Sequence, residues 1–132
     1  MKILVDSLEL GIVPGGYTDL ASPNWNQIEA AIKQLDKCDG GLDLFAQIPN
    51  VDTELSISLR SDSNLYTVEV AGSFEYRSLT NSNTENPEEL VGMCDGECQR
   101  KWTVDNLAVV IEMVYAYLKS GQFADSHPYY WK

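Results

Sequence analysis

Between Leu42 and Val70 the chain alternates apolar residues with a period of two, three times in succession, and no other feature restricts its fold as much. Leu42, Leu44, Ala46 and Ile48 form the first run, Leu55, Ile57 and Leu59 the second, and Tyr66, Val68 and Val70 the third. A period of two marks a strand with one face buried and one wet. Pro49-Asn50 and Ser61-Asp62-Ser63-Asn64 separate the runs with residues that reverse a chain, so an antiparallel meander is expected. A further strand is expected from Phe74 to Leu79, and a short one from Leu90 to Met93 that resumes the sheet. Upstream, residues 2–5 and 8–13 read as two short β-like runs, placed as edge strands and ended by Pro14-Gly15-Gly16.

Two other stretches change to a helical period. Ser22-Pro23 reads as an N-cap followed by proline at the first helical position. Trp25, Ile28, Ile32 and Leu35 then share one face, with Asn26, Glu29, Lys33 and Asp36 opposite. Cys38-Asp39-Gly40-Gly41 is expected to stop this helix, the glycines supplying positive φ values. Thr103 is expected to cap a second helix whose stripe is Leu107, Val110, Ile111, Val114 and Leu118 and which ends before Gly121. Thr80 to Glu89 carries no hydrophobic residue and reads as a mobile loop suited to contacts. The aromatic segment Tyr129-Tyr130-Trp131 is expected to dock onto the domain, because exposed aromatic clusters invite association.

No strand-helix-strand repeat is visible, so the fold expected is α+β: an antiparallel sheet of four to six strands packed against two amphipathic helices. A chain of 132 residues suits one such domain, spanning residues 1–132.

Charge narrows the function. Twenty acidic residues against nine basic ones leave a net charge of −11, which repels nucleic acid and anionic membranes and favours encounter with a basic partner. From Asp43 to Glu97 eleven acidic residues face only Arg60 and Arg77. The plainer reading of this excess is solubility. No stretch reaches the roughly 20 apolar residues of a membrane span, and Asp6 and Glu9 interrupt any signal-peptide core, so a cytoplasmic location is expected.

A catalytic reading has little support. His127 is the only histidine and lies in a Ser-His-Pro segment without an evident partner. Gly15-Gly16 and Gly40-Gly41 lack the Lys-Ser/Thr of a phosphate loop, and no carboxylate pair stands out as acid and base. Cys38, Cys94 and Cys98 read as free thiols, although together with His127 they could supply four zinc ligands. A two-residue Asp95-Gly96 turn would pair Cys94 with Glu97; a three-residue loop would set Cys94 against Cys98 and allow a disulfide. The expectation is no catalytic residue, no metal and no cofactor.

Ser22-Pro23-Asn24-Trp25-Asn26-Gln27-Ile28-Glu29-Ala30-Ala31-Ile32 through Leu35-Asp36, the glycines after it, the meander, the capped second helix, and Gly121 with Trp131 form a recognisable order. Over about residues 20 to 131 it resembles the first of the numbered immunity-protein families of bacterial polymorphic toxin systems. The resemblance implies a non-enzymatic α+β domain encoded beside a toxin, often a nuclease or deaminase, and inhibition by occluding the toxin's active or substrate-binding site. Trp25, Leu35, Gly121 and Trp131 look like fold determinants, so they do not locate the interface. Charge and polarity place it instead at Glu75, Glu85, Glu88, Glu89, Asp95 and Glu97, with Tyr76 and Tyr130 as aromatic anchors. The partner expected is a basic toxin domain, with no nucleic acid and no membrane. A non-enzymatic acidic adaptor or regulatory binding domain is the alternative.

Overall fold

The alternating runs pair as expected, inside a larger sheet than they alone suggest. The structure, a computed structural model, describes residues 1–13, 15–36, 38–47, 54–72, 75–93 and 96–132. In chain order these form β1 (Leu4–Val13), β2 (Gly16–Ala21), α1 (Trp25–Lys33), β3 (Asp39–Gln47), β4 (Glu54–Asp62), β5 (Leu65–Ala71), β6 (Tyr76–Asn81), β7 (Leu90–Met93), β8 (Gly96–Gln99), α2 (Leu107–Ser120) and β9 (Tyr129–Trp131). Seven strands make one sheet in the order β2-β1-β3-β4-β5-β6-β9, with every neighbouring pair antiparallel. Ser63 and Asn64 turn β4 into β5 with φ values of 52° and 66°, the left-handed geometry a two-residue hairpin requires.

Both helices cover one face of this sheet. Leu8, Leu10, Leu42, Leu44, Ile57, Leu59, Val68, Val70 and Leu79 from the strands meet Ile28, Ile32 and Leu35 near α1 and Val110, Val114 and Leu118 of α2 in a single buried core. The helices touch through Trp25 and Tyr115, whose ring centroids lie 4.8 Å apart. The class is therefore α+β, with an antiparallel sheet packed against two amphipathic helices.

The sheet exceeds the expected four to six strands because Gly16–Ala21 and Tyr129–Trp131 each add one that was not anticipated. Residues 4–13 form one strand with a register shift between Val5 and Ser7. That bulge lets Val5 and Leu8, three positions apart, both reach the core. β1 is consequently an interior strand between β2 and β3, and the edge-strand reading of its two halves does not hold. At the other side β9 pairs with β6, placing Trp131 opposite Leu79. Trp131 is only 5% exposed and packs on Phe123 and Tyr117 at 5.3 and 6.3 Å between centroids. The aromatic segment is thus docked. Because β9 occupies the β6 edge, Leu90–Met93 does not resume the sheet and, among the described residues, pairs with β8 alone.

The caps fall later than expected. Asn24, not Ser22, caps α1 in a reciprocal capping box with Gln27, each backbone N–H donating to the other's side chain at 2.9 Å. Asn106, not Thr103, caps α2 by accepting from the Ala108 N–H at 3.0 Å. The Thr103 hydroxyl instead donates to the Arg100 carbonyl at 2.7 Å, closing a short 3₁₀ turn at Arg100–Trp102. Gly121 ends α2 in the left-handed region at φ 72°, as its position suggests.

Gly40 and Gly41 do not form the stop of α1. They lie within β3, and a Cβ on Gly40 would collide with the Gly11 carbonyl oxygen and come within 2.9 Å of the Ile12 Cα. Close approach of two strands, not a turn, requires glycine there. Ser61, 1% exposed, secures the end of α1, its hydroxyl donating toward the carbonyls of Leu35 and Cys38 at 3.2 and 2.7 Å.

Candidate binding surface

Because α1 and α2 occupy one side, alternate strand residues project from a face that neither of them covers. Register sorts these residues into rows running across the strands. Glu9 lies opposite both Asp19 and Asp43, Asp43 opposite Ser58, and Ser58 opposite Glu69. Three carboxylates therefore adjoin across β2, β1 and β3, and Ser58 of β4 separates them from Glu69 on β5. Asp39, Glu54 and Asp62 share the same face, and Arg60 is the cation that these strands place among them. Arg60 binds Asp43 at 3.1 Å, both side chains 27% exposed.

Part of this face is roofed. The β7–β8 hairpin and the Arg100–Trp102 turn enclose a cleft of about 310 Å³ lined by Thr67, Glu69, Tyr76, Ser78, Cys98 and Trp102. The portion formed by β2, β1 and β3 stays open, with Tyr17 64% and Phe45 39% exposed. The Tyr17 phenol is pushed up to about 12 by partial desolvation, by hydrogen bonding to Asp19 and by the charges of Asp19 and Glu9.

The residues singled out from the sequence lie elsewhere and do not gather into one patch. Glu75 precedes β6, is exposed, and binds Arg77 at 2.7 Å. Burial, then the charge of Glu75, raises the neighbouring Tyr117 phenol. Tyr76 is 60% exposed and lines the cleft. Glu88 binds Lys101 at 3.1 Å and accepts from Gln99 at 2.7 Å; Glu89 binds Arg100 at 3.1 Å. Backbone bonds from Arg100 to Glu89 and from Lys101 to Pro87 tie down this part of the loop. Thr80 belongs to β6 and is 1% exposed. Glu85 and Glu97 are exposed without an ion pair among the described residues. Tyr130 is half-buried in β9 opposite Thr80. Asp95 lies outside the described residues, as does Cys94.

The β7–β8 register sets Glu97 opposite Gly92 and Cys98 opposite Val91, so neither pairing anticipated for this hairpin occurs. Gly96, at φ 132°, opens β8 directly opposite Met93. His127 is exposed. Among the described residues no three His, Cys, Asp or Glu side chains are gathered to hold a metal ion, and no helix is long and apolar enough to cross a membrane.

The acidic row escaped sequence reasoning because Glu9 and Asp19 lie outside the acidic middle of the chain. Their positions in alternating segments were the available signal, but only register shows that they adjoin Asp43.

No family model matches this chain, and no curated protein is similar to it. A solved structure described as "Crystal structure of a hypothetical protein from Neisseria gonorrhoeae" is similar, with a TM-score of 0.64, 13% identity and 92% of each chain covered. At that identity the likeness shows the fold alone.

Proposed function

We propose that this chain is an immunity protein that binds a basic bacterial toxin domain, a nuclease or deaminase by the family resemblance, and neutralises it by covering its active or substrate-binding site. The observation that carries this reading is the row Asp19, Glu9 and Asp43 on the open part of the sheet face that α1 and α2 leave uncovered. Enzymes that act on nucleic acid hold the phosphate backbone with cationic clefts, and a rigid row of carboxylates is complementary to such a cleft. Net charge of −11 adds long-range attraction and speeds capture. Tyr17 and Phe45 border the row and provide aromatic contact area of the kind that slows dissociation. The protein would act in the cytoplasm, where a toxin must be stopped before it reaches its substrate.

The acids at Glu88 and Glu89 contribute less to this attraction, since Lys101 and Arg100 already balance them, as Arg60 balances Asp43; Glu9 and Asp19, without an ion pair among the described residues, contribute most. The row should therefore matter more than the loop. Co-expression with the toxin encoded in the neighbouring upstream reading frame should restore growth, and the two proteins should elute together on gel filtration. Replacing Glu9 and Asp19 with lysine should slow association about tenfold or more at low salt and flatten its salt dependence. Replacing Glu85, Glu88 and Glu89 should have a smaller effect. Absence of both growth rescue and a complex would refute the immunity reading.

A further inference from the structure

We infer that the free edge of β2 docks an extended basic segment of the partner, which joins the sheet as an additional strand beside Tyr17, Asp19 and Ala21. The choice of a basic partner rests on the immunity reading, whereas the edge geometry is independent of it. β2 is the terminal strand of the sheet. The Ser22 N–H donates to the Asp6 carbonyl at 2.7 Å, in phase with the pairing of Leu20 with Leu8 and Thr18 with Leu10. In an antiparallel ladder successive residues direct their backbone groups to opposite sides. Ser22, Leu20, Thr18 and Gly16 therefore bond β1, while Tyr17, Asp19 and Ala21 direct N–H and C=O groups outward. No hydrogen bond to those outward groups occurs among the described residues.

Of the usual protections of a sheet edge, β2 carries only the charge of Asp19. Its sequence Gly-Tyr-Thr-Asp-Leu-Ala contains no proline or lysine, and its pairing with β1 has no bulge. The opposite edge, β9, is only three residues long.

Charge selects the occupant. Side chains of an added strand that stand opposite Tyr17, Asp19 and Ala21 would project onto the face that α1 and α2 leave uncovered and extend the row Asp19, Glu9, Asp43. Lysine or arginine beside Asp19 would meet that row at its open end. A second copy of this chain is disfavoured, because twofold pairing centred on Asp19 would set two aspartates side by side between molecules each carrying −11. Main-chain bonds would supply affinity and the alternate basic residues specificity, as in other cases of strand addition.

The test uses the full chain and a short synthetic peptide alternating lysine with valine, with the same peptide N-methylated on its pairing edge as control. Amide signals of Tyr17, Asp19 and Ala21 should shift on adding the peptide, and their hydrogen exchange should slow about tenfold or more. The N-methylated peptide should produce neither effect. Ala21→Pro, which deletes one outward N–H and no charge, should keep the thermal transition and lose the response. Unmoved amides at these three positions, or equal responses to both peptides, would overturn the inference, and the peptide control decides the matter even if Ala21→Pro fails to fold. With the neighbouring toxin, a complex that forms normally with folded Ala21→Pro would also remove the edge from the interface while leaving the immunity reading intact. Peptide addition without any toxin complex would do the reverse.

Discussion

Glu9 and Asp19 face one another across the β1–β2 pair, and both side chains project from the face that α1 and α2 leave uncovered. Asp43 flanks Glu9 on its other side, so Glu9 stands between two carboxylates. Like charges directly opposite in a sheet oppose its formation. Glu9→Gln should therefore stabilise the fold by about 0.2–1 kcal/mol in urea unfolding at low salt, and Asp19→Asn by less because it relieves one contact instead of two. Salt should shrink both gains. If Glu9→Gln is destabilising, the row is not under repulsion.

Tyr17 provides a titration marker for the same corner. Its phenol is raised from 10.0 to about 12, so the folded state holds the proton more tightly than the unfolded state. The associated stabilisation is complete below the unfolded value and is lost as pH rises from about 10 to 12. Burial raises the Tyr117 phenol as well, so phenolate absorbance should show a late phase from which Tyr17→Phe removes one tyrosine and in which Asp19→Asn shifts that same tyrosine toward the ordinary value. An unchanged titration curve in Tyr17→Phe would rule out this assignment.

Gly40→Ala should destabilise the protein by roughly 1–3 kcal/mol, since its methyl group meets the β1 backbone and the strands must separate. Gly41→Ala should cost less. Its methyl would lie 3.0 to 3.2 Å from the side chain of Arg60, which can move. Equal losses on thermal unfolding would contradict a backbone cause at Gly40.

Trp131→Ala should cost about 3–5 kcal/mol, because the ring is 5% exposed and contacts Phe123 and Tyr117. The same change should release β9 and speed amide exchange at Ser78, whose N–H and C=O both bond Lys132 at 2.9 and 3.0 Å. Retention of that protection would show that β9 holds without its tryptophan.

Local pattern was enough to identify the elements whose buried face repeats. Leu55, Ile57 and Leu59 reveal a strand, and Ile28 with Ile32 or Val110 with Val114 a helix, because a period of 2 or 3.6 records which side meets the core. Gly121 was legible for a similar reason: its left-handed backbone is a local need. Three-dimensional pairing decided the rest. Val5 and Leu8 reach one core only through a bulge, which made one strand look like two. Gly40 resembles a turn until Gly11 is placed beside it. Glu88 and Glu89 read as free acids until the hairpin brings Lys101 and Arg100 against them. Above all, Glu9, Asp19 and Asp43 are distant in sequence yet adjoin in one row. Strand order and register created that row, and those depend on contacts between residues far apart in the chain, which no local pattern encodes.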